Sequence, residues 1–271
     1  MAVGIEAEPA EHDNGYDLPY EKVLQLTKEL LLVKPPEGDG RFVCYKLEGM
    51  DAFSDIGRHI ESVVFKEAFN NNPDQMREEY GPYEEQSTFF VSVDTEKKVP
   101  TGALRVIKNG PAGLKSLNDF EERAPEHTPV ETVLERHNID SLEDCLDIGT
   151  VAVLPDFRSG EGSISVQLYR GVYVAAMDEG VKHVVSIIDA KPLGKLTNYL
   201  GIPFEPLADS KPFKYMGSEK SQAVYGYMPD FYKKMNRKRK TLSGFIARKA
   251  LSRLVRGSED DTLQFPSSYK K

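Results

Sequence analysis

The sequence predicts a mixed α/β domain, and three observations lead to this fold class. Residues 148–154 and 183–189 are short apolar runs rich in β-branched residues, a composition typical of strands buried inside a sheet. Between them, apolar residues recur at helical spacing from Ser163 onward, which predicts a connecting helix. Residues 41–47 alternate, and two more strand-like runs at 88–93 and 102–107 are joined by a charged turn.

The composition is that of a soluble globular protein. The chain has 271 residues, of which 39% are hydrophobic and 29% are charged. No run approaches the roughly 18 apolar residues of a membrane span, and the acidic N-terminal segment lacks a signal peptide's basic start, so we expect a cytoplasmic protein. Cys44 and Cys145 fit neither a disulfide framework nor a zinc site; we expect both in the core and no bound metal.

The same periodicities place the remaining elements. Helices are expected at 18–33, 51–70 and 191–200, strands at 203–207 and 223–228, a polar loop at 70–87, and a long connection at 108–146 with helical pieces at 114–122 and 131–136. The predicted organisation is a disordered tail (1–16), one domain (17–230), a basic amphipathic helix (231–256) and a second disordered tail (257–271).

A glycine-flanked turn follows the strand at 148–154 and opens the next helix. Such a turn leaves backbone N–H groups at a helix N-terminus, where the macrodipole also favours negative charge. The sequence therefore suggests a phosphate-binding loop formed by Arg158, Ser159, Gly160, Glu161, Gly162 and Ser163. An ordinary strand-to-helix turn is the alternative, because glycine loops after strands are common.

The order of these elements resembles motif A of the GNAT superfamily of N-acyltransferases: a strand, Pro-x-x-Arg, a glycine turn and a helix. Motif A binds the phosphates of an acyl thioester carrier. The usual pattern is Arg or Gln, two residues, Gly, one residue, then Gly or Ala. Counted from Arg158, those two positions hold Glu161 and Ser163, and the glycines come one place early. A carboxylate beside a pyrophosphate is unfavourable, so the departure implies a remodelled loop or a less charged ligand.

The preceding half resembles one GNAT branch, the acyl-homoserine-lactone synthases, long-chain N-acyl amino acid synthases and exosortase-associated acyltransferases. Gly102 and Arg105 match the Gly-x-x-Arg element of this branch, and Asp147 takes the place of the glutamate in its Glu-x-x-Arg element. Thr150 replaces the second arginine, which argues against a homoserine-lactone synthase. The resemblance covers roughly residues 50–230.

The resemblance implies a mostly antiparallel, twisted sheet with a V-shaped split between two parallel central strands, flanked by helices. The split would admit the phosphopantetheine arm of acyl-CoA or an acyl carrier protein, held by the main chain of Val151, Ala152 and Val153. Aromatic residues at 204, 213, 215, 225 and 227 either line a tunnel for a medium or long acyl chain or pack in the core.

Asp147 and Arg105 are the candidate catalytic residues. A carboxylate at the head of a buried strand should have a raised pKa, which suits it to accept a proton directly or through water. Arg105 is catalytic by resemblance, or a strand-end arginine in a salt bridge. GNAT enzymes often carry an acidic tyrosine where this chain has Thr197, so the thiolate leaves unassisted or another group protonates it. His127 and His137 are either bases or solvated loop residues.

Residues 233–256 contain ten Lys and Arg and no acid, although the whole chain carries a net charge of −8. This basic amphipathic segment predicts a docking surface for an acidic acyl carrier protein, peripheral contact with the anionic inner face of a membrane, or a helix packed on its own domain. No nucleic-acid-binding module accompanies it, so we expect no nucleic-acid partner.

The predicted function is transfer of an acyl group from such a thioester to an amine, for example an amino acid. Two alternatives stay open at this point. One is a catalytically idle GNAT-like domain that binds an acyl carrier or lipid, and the other is a small-molecule N-acetyltransferase that uses acetyl-CoA.

Overall fold

The computed structural model describes residues 15–158, 164–198, 200–241, 252–254, 256–257 and 261–265. The strands described there are β1 (Phe42–Glu48), β2 (Ser87–Asp94), β3 (Val99–Lys108), β4 (Cys145–Val153), β5 (His183–Asp189), β6 (Glu205–Pro206), β7 (Phe213–Tyr215), β8 (Ser218–Tyr227) and β9 (Asp261–Gln264). The helices are α1 (Tyr20–Val33), α2 (Ser54–Phe69), α3 (Pro73–Tyr80), α4 (Lys115–Arg123), α5 (Val130–His137), α6 (Ile164–Asp178), α7 (Ala190–Asn198) and α8 (Met228–Thr241).

These strands form one mixed sheet in the order β6-β8-β5-β4-β3-β2-β1-β9, with β7 paired to β8 beside this path. The β4–β5 and β1–β9 pairs are parallel, and the other strand pairs are antiparallel. Helices α1 and α2 bury their apolar residues against one face, whereas α6 and α8 contribute to the core on the other. The predicted α/β class and mostly antiparallel sheet are confirmed.

The two central parallel strands separate soon after they meet. Their register runs only from the pair Cys145↔His183 to the pair Asp147↔Val185, although β4 continues to Val153 and β5 to Asp189. Next to this point β4 carries an irregularity against β3: Ile148 faces Val106 and Thr150 faces Arg105, which leaves Gly149 as the extra residue. Bulges bend and twist a strand. The predicted V-shaped split is therefore present, and it opens just after Asp147.

The predicted polar loop at 70–87 is wrong in its first half, because helix α3 lies there. The Asn72 side chain accepts a hydrogen bond from the Gln75 N–H, and the Gln75 side chain accepts one from the Asn72 N–H. This reciprocal capping box, with Pro73 at the first helical position, starts a helix in a segment that has few apolar residues. The buried side chains of Met76 and Tyr80 then hold it against the domain.

Both predicted tails need correction where the structure describes them. Tyr16, placed in the N-terminal tail, is buried with 1% of its surface exposed, and residues 1–14 lie outside the described part. At the other end, residues 261–264 form β9 along β1. The predicted helix at 231–256 begins earlier, as α8, and residues 242–250 lie outside the described part. Among the described helices, none has the length and apolarity that crossing a bilayer requires.

Removing the buried carboxylate of Asp261, the first residue of β9, should destabilise the whole domain. Asp261 accepts two 2.6 Å hydrogen bonds from Arg253 and has no exposed side-chain surface. We expect Asp261→Ala to lower the free energy of unfolding by about 3 kcal/mol, because it removes the buried carboxylate that accepts two hydrogen bonds from a mostly buried arginine. Urea unfolding measures this. Glu219→Ala, which breaks the exposed Lys214–Glu219 pair, is the control with an expected change below about 0.5 kcal/mol. Equal values for both variants would mean that β9 is not part of the cooperative unit.

Candidate functional site

Beyond Asp147, one edge of β4 has no partner among the described strands. The Leu154 N–H donates to the Thr101 carbonyl toward β3, whereas the Val153 carbonyl accepts a 2.8 Å hydrogen bond from Arg158 Nε. Peptide groups alternate in direction along a strand. Val151 and Val153 therefore point their N–H and C=O groups toward the side from which β5 has diverged. These polar groups form a backbone edge suited to an extended amide-containing ligand.

Two hydroxyl groups satisfy the backbone at the point of separation, which we call the vertex (Ile148 and Gly149 of β4, Ser186 of β5). Ile148 is the first residue of β4 beyond the paired register, and its carbonyl accepts a 2.7 Å hydrogen bond from Ser186 Oγ. The Gly149 carbonyl accepts a 3.2 Å hydrogen bond from the Tyr80 hydroxyl. A buried carbonyl without a donor is costly, so these bonds stabilise the separation.

Asp147 lies immediately before the vertex and is fully buried. Its Oδ1 accepts from Ser116 Oγ at 2.6 Å and its Oδ2 from the Ser116 N–H at 2.5 Å. Burial raises the pKa of this carboxyl to about 6, although the hydrogen bonds from Ser116 oppose the shift. Asp147 thus anchors the first turn of α4 to β4. Its role as the proton acceptor stays a prediction.

Arg105 lies at the centre of a buried charge cluster. Its guanidinium binds Glu61 through Nε and Nη2, at 3.1 and 2.8 Å, and Glu84 through Nη1 at 3.1 Å. It also donates to the Tyr16 hydroxyl, and Arg58 binds Glu84 at 2.7 Å. Arg105 has no exposed surface. Of the two sequence-based interpretations of Arg105, a structural salt bridge is the one that describes its contacts. Its assignment as a catalytic residue stays a prediction.

Thr150 occupies the position where the resembled pattern has arginine. It faces Arg105 across the strand pair and donates a hydrogen bond to Glu61. Thr150 thus supplies a further hydrogen bond to the carboxylate that pairs with Arg105.

A second buried cation, Lys115, also lies over the Tyr80 ring. Lys115 Nζ binds Glu79 at 2.7 Å and Asp119 at 2.5 Å, and only 3% of its side-chain surface is exposed. The ring centroid of Tyr80 is 5.2 Å from Lys115 Nζ and 4.5 Å from Arg105 Cζ. The Tyr80 ring therefore contacts a cation of each ion cluster, and its hydroxyl binds the Gly149 carbonyl at the vertex.

The predicted anion loop is described only at its first residue. Arg158 binds Glu67 of α2 through both terminal nitrogens, at 3.2 and 2.6 Å, and this pair is half-exposed. Ser159, Gly160, Glu161, Gly162 and Ser163 lie outside the described residues, and α6 begins directly after them. The phosphate-binding role of the loop stays a prediction. A phosphate that bound Arg158 would compete with Glu67.

The other sequence candidates have local roles in the structure. Thr197 donates to the Leu193 carbonyl within α7. His127 lies near the Glu121 carbonyl on an exposed turn, and His137 Nε2 accepts from the Ala208 N–H. None of these contacts involves the vertex.

The aromatic side chains proposed to line a tunnel divide between two cores. Phe204 packs against Phe231 in the core that contains α6, whereas Phe213 and Tyr225 lie in the core beneath α4 and α5. Core packing is therefore the better account of these three residues.

Sequence reasoning missed Glu61, Glu84, Tyr80, Lys115 and Ser186, which surround Arg105 and the vertex. Two of them left a readable signal. Glu61 interrupts the apolar stripe of α2, and Ser186 interrupts the apolar run of β5. A polar residue inside such a pattern indicates a buried partner, because burying an unpaired polar group is unfavourable.

Comparisons with known proteins bear on the fold. No protein-family model and no curated protein matches the sequence. Among solved structures, the chain is similar to FeeM, an N-acyl amino acid synthase from uncultured soil microbes, with a TM-score of 0.54 and 16% identity over 72% of this chain and 96% of that one. It also matches BjaI, a CoA-dependent acyl-homoserine lactone synthase, with a TM-score of 0.49 and 12% identity over 79% and 98% of the two chains.

The FeeM likeness shows that the chain has the fold of that synthase. The expected GNAT-like architecture, with helices on both faces of a mixed sheet, is confirmed. At 16% identity the likeness concerns the fold, and the roles of individual residues rest on the geometry described above.

The burial of Asp147 predicts that this residue makes the free energy of unfolding depend on pH. Its pKa is about 6 in the folded protein and 3.8 for the free group, so the folded state binds this proton more tightly. The difference in unfolding free energy, wild type minus Asp147→Asn, should fall as pH rises from about 4 to 6 and then level off. Urea unfolding at a series of pH values measures this difference. Glu122→Gln, at an exposed position, is the control. If the difference in unfolding free energy between wild type and Asp147→Asn did not vary with pH, the raised pKa of Asp147 would be contradicted.

Loss of the Arg105 side chain should destabilise the fold. Arg105→Met removes the arginine that binds the fully buried Glu61 and one of the two arginines that bind Glu84, and we expect a loss of about 3 to 5 kcal/mol in urea unfolding. Adding Glu61→Gln should recover part of this loss, because it removes one uncompensated charge. Arg136→Met, at a bridge to the exposed Asp209, is the control. An Arg105→Met variant with wild-type stability would show that the cluster does not hold the fold together.

Proposed function

We propose that the protein is an N-acyltransferase that moves an acyl group from a phosphopantetheine thioester to an amine. The observation that carries the proposal is the open edge of β4 beside the start of α6, where the peptide groups of Val151 and the N–H of Val153 face the side that β5 has left, while the Val153 carbonyl binds Arg158. An extended pantetheine arm has amides that could pair with this edge, as a strand would. The shared fold with an N-acyl amino acid synthase supports the same reading.

The reaction would use the open edge as its oxyanion site. The amine attacks the thioester carbonyl, a carbon–nitrogen bond forms, and the main chain near Val153 stabilises the negative oxygen. The carbon–sulfur bond then breaks, the amine loses one proton, and the thiolate gains one. Asp147 would accept or relay the amine proton, because its raised pKa lets it take up a proton near neutral pH.

The donor would be acyl-CoA or an acyl carrier protein with a medium or long chain, and the acceptor an amine such as an amino acid. The residues from Arg158 to Ser163 would hold the carrier phosphate. Exposed Lys233, Lys234 and Arg237 on α8 support a carrier protein as one donor, because clustered cations steer association with an acidic partner.

A second candidate is a domain that binds an acyl carrier without turnover. Two observations favour it. Both oxygens of Asp147 already accept hydrogen bonds from Ser116, and Thr197 supplies no acidic phenol for the leaving thiolate. An Asp147→Asn variant separates the candidates, since an enzyme loses turnover and keeps ligand affinity, whereas a binder has no turnover to lose.

A thermal-shift series tests the donor site. The ligands are pantetheine, CoA, acetyl-CoA and acyl-CoAs of increasing chain length, and a ligand of the native state stabilises it by about 2.7 kcal/mol at 100 times its Kd. We expect CoA to stabilise more than pantetheine and long acyl-CoAs more than acetyl-CoA. Arg158→Gln should reduce the difference between CoA and pantetheine, and Lys214→Gln, at an exposed pair on the β7–β8 hairpin, should not.

The pattern of shifts distinguishes the outcomes. A response to acetyl-CoA that does not grow with chain length would favour a small-molecule acetyltransferase. If neither the CoA series nor an acyl carrier protein stabilised the protein, the donor site and the proposed function would both be wrong.

A further inference from the structure

Ser186 is a polar exception within β5. Its neighbours along the strand, residues 184, 185, 187 and 188, are all aliphatic, and only 2% of Ser186 is exposed. A buried hydroxyl without a partner costs free energy. Here the hydroxyl donates to the Ile148 carbonyl of β4 at 2.7 Å. The presence of serine at this position is therefore explained by this one contact across the split.

The contact lies at the first position beyond the paired register. Val185 and Asp147 form the last pair of β4 and β5, and Ser186 and Ile148 directly follow them. On its other side Ser186 keeps regular register with Val224 of β8. The backbone of Ser186 is thus held by the sheet, and its side chain alone reaches the diverging strand.

A second hydroxyl holds the next carbonyl from the helical layer. Tyr80, at the end of α3, donates to Gly149, and its ring contacts the side chains of Arg105 and Lys115. The vertex is therefore fixed from two directions, by β5 within the sheet and by α3 from one face. The peptide groups of Val151 and Val153, which point to the side that β5 has left, follow two and four residues later along the same strand.

We infer that Ser186 is a positioning residue for acyl transfer, which together with Tyr80 sets the point where β4 leaves β5 and so holds the backbone groups of Val151 and Val153 against the reacting thioester. The inference rests on the proposed function. Without the hydroxyl, the Ile148 carbonyl has to find water or another donor, and β4 shifts relative to β5. A misplacement of about 1 Å can cost about 100-fold in rate.

Ser186→Thr and Ser186→Val form the matched pair that tests this role. The two side chains have nearly the same shape, both suit a strand, and only threonine keeps the hydroxyl. Amide exchange followed by mass spectrometry should show faster exchange for residues 148–153 in the valine variant than in the threonine variant. Exchange in β3 should stay the same in both. Tyr80→Phe, which also removes only a hydroxyl, should act in the same direction.

Turnover gives the second readout. Thiol release from lauroyl-CoA in the presence of an amino acid mixture is measured for wild type and both variants. We expect kcat to fall by about 10- to 100-fold in the valine variant, with KM for lauroyl-CoA little changed and with activity largely kept in the threonine variant.

Three results would overturn the inference. The first is an equal kcat in the threonine and valine variants. The second is faster amide exchange in the valine variant without any loss of kcat, because the Ser186–Ile148 hydrogen bond would then be purely structural. If wild type released no thiol from lauroyl-CoA or from lauroyl acyl carrier protein, the proposed function would fail before any variant was compared, and the positioning role would fail with it.

Discussion

Buried backbone carbonyls need hydrogen-bond donors, and in this protein that need is most acute where β4 separates from β5. The parallel ladder ends at Asp147 and Val185, so the next carbonyls of β4 lose the donors that a continued ladder would supply. Leaving one such group unpaired costs about 1 to 3 kcal/mol. Ser186 and Tyr80 supply the missing donors. The split is compatible with a stable sheet because these two hydroxyls donate to the carbonyls that the ladder no longer pairs.

The helical layer on one side of the vertex is built around buried charge. Arg105 on β3 and Lys115 on α4 each bind two carboxylates, and the Tyr80 ring contacts both cations. Burying these charges is expensive, so the clusters contribute less to net stability than to a unique arrangement of α2, α3 and α4 against the sheet. Such an arrangement keeps the Tyr80 hydroxyl in place. The electrostatic clusters and the vertex are therefore one connected structure.

Asp147 links that structure to the proposed acyl transfer. Its position at the end of the paired register follows from β4, whereas its two hydrogen bonds come from the first turn of α4. Burial raises its pKa to about 6, and the surrounding donors limit the rise. The same carboxyl can thus anchor a helix and exchange a proton near neutral pH. A fold that needed only an anchor could use a neutral side chain here, which makes the retained carboxylate informative.

Strand β5, helix α3 and strand β9 differ in how strongly their own sequences specify them. The strand at 183–189 was predicted with the bounds of β5, because a continuous β-branched run has one stable environment, the inside of a sheet. Helix α3 was missed because its start depends on capping by Asn72 and Gln75 and not on an apolar stripe. Strand β9 was missed because a four-residue edge strand has too little pattern of its own; it forms by pairing with β1.

The sequence by itself determined most of the strands and helices, and it singled out Arg105 and Asp147 as two residues whose charge is out of place in a strand. Only the tertiary structure decided what those residues bind. Tyr80 reaches Gly149 across 69 positions of chain, Arg105 reaches Glu61 across 44, and Ser186 reaches Ile148 across 38. Periodicity and propensity act over a few residues, so they cannot specify such partners. The pairings depend on sheet register and helix packing, which exist only once the whole chain has folded.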